Sequence, residues 1–99
     1  MSSAPPSLSV GNLIEILPGT TEEDPKKIQF AKEVILFAFS DINNDVKDIA
    51  AYISTRFSEN FNQQWNCSVC KWDKGGLHIY TSSSIDIKYN NYKIIIWIC

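Results

Sequence analysis

The chain is short of the residues that chemistry and covalent staples need. Its 99 residues include one histidine, three cysteines, four glycines and four prolines. No G-x-S-x-G elbow, glycine-rich phosphate loop or H-E-x-x-H pair is present, so none of the common hydrolase, nucleotide or zinc-protease signatures applies. An odd cysteine count without a secretory signal argues against a disulfide framework. Charge of one sign is also missing. Nine Lys and Arg against eleven Asp and Glu leave a net −2, which gives no basic footprint for nucleic acid or an anionic membrane. Long hydrophobic runs are absent too: stretches such as residues 34–39 and 94–98 fall far short of the about 20 residues that span a bilayer. Residues 1–10 lack the basic and apolar regions of a signal peptide. Ser2 excludes myristoylation, and Cys99 stands last rather than fourth from the end, where prenylation needs it. The expectation is a reduced, soluble, intracellular protein.

What is there is a core. The chain is 44% hydrophobic and 12% aromatic, enough for one folded domain. A domain of this size is marginal alone, and a partner subunit would help it.

Residues 1–10 read as a flexible Ser/Pro-rich tail, and residues 11–99 as the domain. Residues 13–17 form a short apolar β-type run ended by the Pro18-Gly19 turn signal. Asp24-Pro25 is an N-cap followed by proline at the first helical position. Ile28, Ala31, Val34, Ile35, Ala38 and Ile42 then make a helical stripe. Phe30, Phe37 and Phe39 lie off it, so this helix should be covered on more than one side. Asp45 caps a second helix, where Ile49, Ile53, Phe57 and Phe61 recur every four residues. The period then changes to two. Trp65, Cys67 and Val69 alternate with Asn66, Ser68 and Cys70, and Ile85, Ile87 and Tyr89 alternate with Asp86 and Lys88. Asn90-Asn91 suits a two-residue hairpin turn into a last strand that is apolar on both faces and so belongs in the centre of a sheet or against a partner. The predicted fold class is α+β, two helices packed on an antiparallel sheet.

Cys67-Ser-Val-Cys70, with His78 and Cys99, could in principle make a Cys₃His zinc set. Yet positions three apart in a strand face opposite sides, so Cys67 reads as core and Cys70 as half-exposed. Ser82, Ser83 and Ser84 read as a turn or strand edge, since no base is paired with them. No catalytic residue, metal or cofactor is expected. A binding or structural module is the better class.

One block goes beyond pattern. Lys47-Asp48-Ile49-Ala50-Ala51-Tyr52-Ile53, then Phe57, Phe61-Asn62 and Trp65-x-Cys67-x-Val69, resembles the dynein light chain family, whose second helix carries K-D-I-A-A-x-I and whose next strand carries N-P-T-W-H-C-I-V. Outside the Ser/Pro tail the chain is weakly collinear with that family, and the ending through Trp97 and Cys99 is closer to its axonemal members. The resemblance implies a homodimer in which one strand crosses to complete the partner's sheet. It also implies docking of extended peptides, such as a segment of the dynein intermediate chain, as an added strand. Lys47, Gly75, Gly76, Leu77, His78, Ile79, Asp86 and Lys88 are the implied peptide-binding positions, and Asn66, Lys74 and Leu77 the implied dimer interface. The implied setting is the cytoplasm and its microtubules, as a light chain of the dynein motor, with no nucleic acid and no membrane as partner. Departures are clear. Residues 71–80 share little with the family's exchanged strand, Asp86 and Lys88 stand where it has groove aromatics, and Asn66 stands where it has histidine. A motor-independent dimerising scaffold of the same fold and a zinc module are the alternatives. A tight turn at residues 73–76 would instead give a monomeric meander.

Overall fold

A computed structural model of the chain describes residues 14–41, 45–72 and 83–98. The elements follow in the order β1 (Ile14–Ile16), α1 (Pro25–Asp41), α2 (Val46–Phe61), β2 (Trp65–Lys71), β3 (Ser83–Tyr89) and β4 (Tyr92–Ile98). The strands form one antiparallel sheet in the order β1-β3-β4-β2. Both helices begin at caps legible in the sequence. The Asp24 carboxylate accepts from the Lys26 N–H at 2.9 Å, and that of Asp45 from the Lys47 N–H at 2.9 Å, each meeting a donor with no partner inside its helix. The second helix stops at Asn62, whose φ of 54° is the left-handed cap conformation. Asn90, also at φ 54°, opens the β3–β4 hairpin turn.

The helices cover one face of the sheet. Ala31, Val34, Ile35 and Ala38 of α1 and Ile49, Ile53 and Phe57 of α2 join Trp65, Val69, Ile85, Ile87, Tyr89, Ile94 and Ile96 in one buried cluster. Phe57 lies at its centre, 5.0 Å from the Trp65 ring, 5.1 Å from Phe61 and 5.3 Å from Phe30 between centroids. Truncating such a residue to alanine typically costs about 3–5 kcal/mol. Phe39 closes the other end of the core against Tyr89 and Tyr92. The apolar strand β4 is central, as its two-sided hydrophobicity predicts. One expectation fails. Phe37 is not covered: it is 48% exposed, and among the described residues it stacks only on Tyr52. On the other face of the sheet Asp86 and Ser84 are buried, 6% and 3% exposed.

The edge of β3 is closed by hydroxyls where β1 runs out. The Leu17 N–H continues the ladder to the Asp86 carbonyl at 2.8 Å. The Thr20 hydroxyl then donates to that carbonyl at 3.2 Å and accepts from the Asp86 N–H at 2.9 Å. One step on, the Ser84 N–H donates to Thr21 Oγ1 at 2.9 Å, while the Ser84 carbonyl receives the Thr21 and Glu22 N–H groups. Two threonines thus stand in for the strand that is missing. Replacing either Thr20 or Thr21 by valine keeps the shape and deletes the hydroxyl, so each variant is expected to lose about 1–2 kcal/mol, as buried backbone groups lose their partner. Urea unfolding curves with an unchanged slope and a lower midpoint would be the expected result.

Candidate functional site

The opposite edge of the sheet is built differently. Trp72 donates its N–H inward to the Asn91 carbonyl at 2.7 Å. Alternation then directs the backbone groups of Asn66, Ser68 and Cys70 toward β4 and those of Trp65, Cys67, Val69 and Lys71 away from it. At the start of the strand the outward groups are taken by α2. The Trp65 N–H donates to Ser58 Oγ at 2.9 Å, and the Ser54 hydroxyl donates to the Trp65 carbonyl at 2.7 Å. Beyond Trp65 no strand of the described residues pairs with this side. Cys67, Val69 and Lys71 therefore present a row of N–H and C=O groups, a geometry that can pair with an extended chain.

The sheet face turned away from the helices carries three cross-strand rows. Nearest the hairpin stand Glu15, Lys88, Lys93 and Cys70. Next come Asp86, Ile95 and Ser68, and then Ser84, Trp97 and Asn66. The Lys88 ammonium lies 4.9 Å from the centroid of the Trp72 ring. The helix side carries a separate groove of about 300 Å³ lined by Phe30, Glu33, Val34, Phe37, Tyr52 and Arg56.

The positions implied by resemblance separate into three groups. Lys88 and Asp86 share the outer face two residues apart, Lys88 half-buried and Asp86 buried. Asn66 is half-buried on the same face at the far end of β2. Lys47 is exposed in the first turn of α2, whose far end leads into β2. Lys74, Gly75, Gly76, Leu77, His78 and Ile79 lie outside the described residues. Sequence reasoning missed Trp72, the outward row of β2 and the serine clamp on Trp65. A Ser54-x-x-x-Ser58 pair one turn apart on the helix before a strand is the signal that could have found the clamp.

Two further polar groups lie under β2. The Glu22 carboxylate accepts from the Asp24 N–H at 3.0 Å and stands 4.0 Å from the Lys27 ammonium. That ammonium lies 5.7 Å from the Phe61 and Trp65 ring centroids. Glu22 Oε1 and Trp65 Nε1 are buried without a hydrogen-bond partner.

The cysteines take the places that strand alternation assigns. Cys67 shares the helix side with Trp65 and Val69, and Cys70 the outer face, so the pair does not converge on one ion. No group of three or more metal-ligating side chains occurs among the described residues, and no described helix is long and apolar enough to cross a membrane. His78 and Cys99 of the zinc alternative lie outside the described residues.

Two helices on one face of a four-stranded antiparallel sheet ordered β1-β3-β4-β2 define a dynein light chain-like fold. The particular likeness is to the dynein light chain-like domain of the Fasciola hepatica calcium binding protein FhCaBP2. Its mercury derivative superposes with a TM-score of 0.66 at 20% identity, covering 88% of this chain and 92% of that one. The native crystal form gives 0.67 at 20% identity, covering 87% and 90%. No protein-family model matches the sequence, and no curated protein matches it either.

Burial drives the Cys67 thiol well above its ordinary pKa of 9.0. A raised folded-state pKa contributes stability in full below 9.0, and that contribution is lost as pH rises above it. Two outcomes are expected. Peptide mapping after brief alkylation at pH 8 should show Cys70 modified well ahead of Cys67. Cys67→Ala should flatten the loss of stability above pH 9 seen by urea unfolding.

Proposed function

We propose that this protein is a non-catalytic light chain of the dynein type, a homodimer that holds extended segments of partner proteins by β-strand addition. The observation that carries the reading is the side of β2 with which no strand of the described residues pairs. The stretch of β3 beyond β1 is capped by Thr20 and Thr21, whereas Cys67, Val69 and Lys71 have their backbone groups directed outward. A bare edge of this kind invites pairing, and an edge retained in a small domain is best understood as one that is used. In the arrangement that the family resemblance implies, the segment containing Gly75, Gly76, Leu77, His78 and Ile79 crosses to the β2 edge of a second copy. A partner segment, in the motor that of the intermediate chain, then adds beside it. The setting is the cytoplasm, on microtubules. Affinity comes from backbone hydrogen bonds and specificity from the side chains that line the outer face.

The test uses the exposed end of the edge. Lys71→Pro deletes one outward N–H while leaving the inward ladder intact, and proline is tolerated on strand edges. Sedimentation equilibrium should show the wild type as a dimer and the variant, still folded by circular dichroism, dissociating at least about tenfold more readily, the cost of one directed hydrogen bond. A wild type that stays monomeric at tens of micromolar, or a variant that dimerises as well as wild type, overturns the reading.

The same instrument checks Asn66. An interface histidine would charge between about pH 7 and 5 and push a dimer apart, but asparagine has no proton to gain. The dimer is expected to persist without a cooperative transition across that range.

A further inference from the structure

The loop between β1 and α1 ends in an acidic run. Thr20 and Thr21 are followed by Glu22, Glu23 and Asp24, in a segment that belongs to no helix or strand. Carboxylates one to three residues after a hydroxyl are what acid-directed serine/threonine kinases read with a basic groove. Thr21 is exposed and Thr20 half-buried, so Thr21 is the hydroxyl residue that such an enzyme meets. Glu23 is exposed as well. Glu22 is turned inward in the closed loop, its side chain 7% exposed beside Lys27, and Asp24 caps α1. The acidic run is therefore presented whole only when the loop lifts.

The Thr21 hydroxyl is in use while the loop is closed. Its Oγ1 accepts from the Ser84 N–H at 2.9 Å and lies 3.3 Å from Ser84 Oγ, and Ser84 is 3% exposed. A phosphoryl group on that oxygen has no room between loop and strand. It would also bring a charge of about −2 next to Glu22 and Glu23, where repulsion and desolvation both oppose closure. The start of α1 offers no compensation. Pro25 has no N–H, and those of Lys26, Lys27 and Ile28 are all taken by Asp24. A pair with the exposed Lys26 is worth little in water. Phosphate on Thr21 and the closed loop therefore exclude one another.

We propose that Thr21 is a phosphorylation site for an acid-directed kinase, and that its phosphate holds the Thr20–Thr21 loop off β3. The kinase transfers the γ-phosphoryl group of ATP to Thr21 Oγ1. A P–O bond forms there as the bond to ADP breaks, and the hydroxyl proton passes to the base of the kinase. The transfer takes place from the open loop, so the hydrogen bonds that cap β3 also slow it. Once made, the phosphate takes from Ser84 and Asp86 the threonine oxygens that their N–H groups use. The proposal goes beyond the strand-addition reading and does not depend on it, because β3 and β2 are separated by β4 in the sheet.

The experiment treats the full chain with ATP and a purified serine/threonine kinase of the casein kinase type, and peptide mass spectrometry locates the phosphate. Incorporation is expected at Thr21, and it should be slower in Glu23→Gln, which removes an exposed carboxylate. Thr20→Val loosens the loop and leaves the site intact, so it should speed incorporation about fivefold, the effect of one lost hydrogen bond on an opening equilibrium. In the phosphorylated protein, still folded by circular dichroism, the Ser84 and Asp86 amides should exchange at least about tenfold faster than before. Absence of phosphate from Thr21 overturns the proposal, as does a phosphate there that leaves both amides as protected as before. A Glu23→Gln variant modified as fast as wild type overturns the acid-directed reading, and a Thr20→Val variant modified no faster overturns the control by loop opening.

Discussion

The structure depends on how Trp65 is held. Its ring is fully buried, edge-on to Phe57, with the Lys27 ammonium near its face. Its backbone is gripped from the other side by Ser58 and Ser54. A helix and the strand that follows it are thereby locked at one point and in one phase. Because strand orientation alternates strictly, fixing Trp65 outward fixes Cys67, Val69 and Lys71 outward as well. A slip of one residue would exchange the faces of the whole strand, sending Asn66 and Ser68 toward the core. The direction of the free edge, the burial of Cys67 and the placing of Trp72 over Lys88 all follow from that single anchorage.

Polar groups elsewhere show how closely the domain manages its backbone. Where β1 ends after three residues, threonine hydroxyls at positions 20 and 21 complete the ladder on β3. An orphaned buried amide costs about 1–3 kcal/mol, a large share of the stability of a small domain. The Glu22–Lys27 pair is a different case. One carboxylate oxygen of the pair lacks a partner, so its contribution to stability is small at best, although losing Lys27 would leave the buried Glu22 carboxylate unpaired.

Much of the fold was legible because its signals are local. The caps at Asp24 and Asp45, the four-residue stripe of α2 and the Asn90-Asn91 turn each depend on a few neighbouring residues, and each appears where its chemistry places it. The central position of β4 was legible from composition alone. Misreadings came where a distant element decides. Ser84 reads as a turn or strand edge, but it lies within β3, where the loop carrying Thr20 and Thr21, more than 60 residues earlier, ties the backbones of Ser84 and Asp86 and the two are buried. Phe37 has the hydrophobicity of a core residue and stays exposed, because nothing but Tyr52 among the described residues stacks on it. The candidate site was legible only in kind. Resemblance pointed to strand addition, whereas the clamp on Trp65 and the Trp72–Lys88 contact join residues that are remote in sequence and carry no motif.

The two threonines also act as gatekeepers. A stretch of strand with unpaired backbone groups can recruit another chain, as fibrils do. The part of β3 that lies beyond β1 would be such a stretch, and the loop carrying Thr20 and Thr21 occupies its N–H and C=O groups instead.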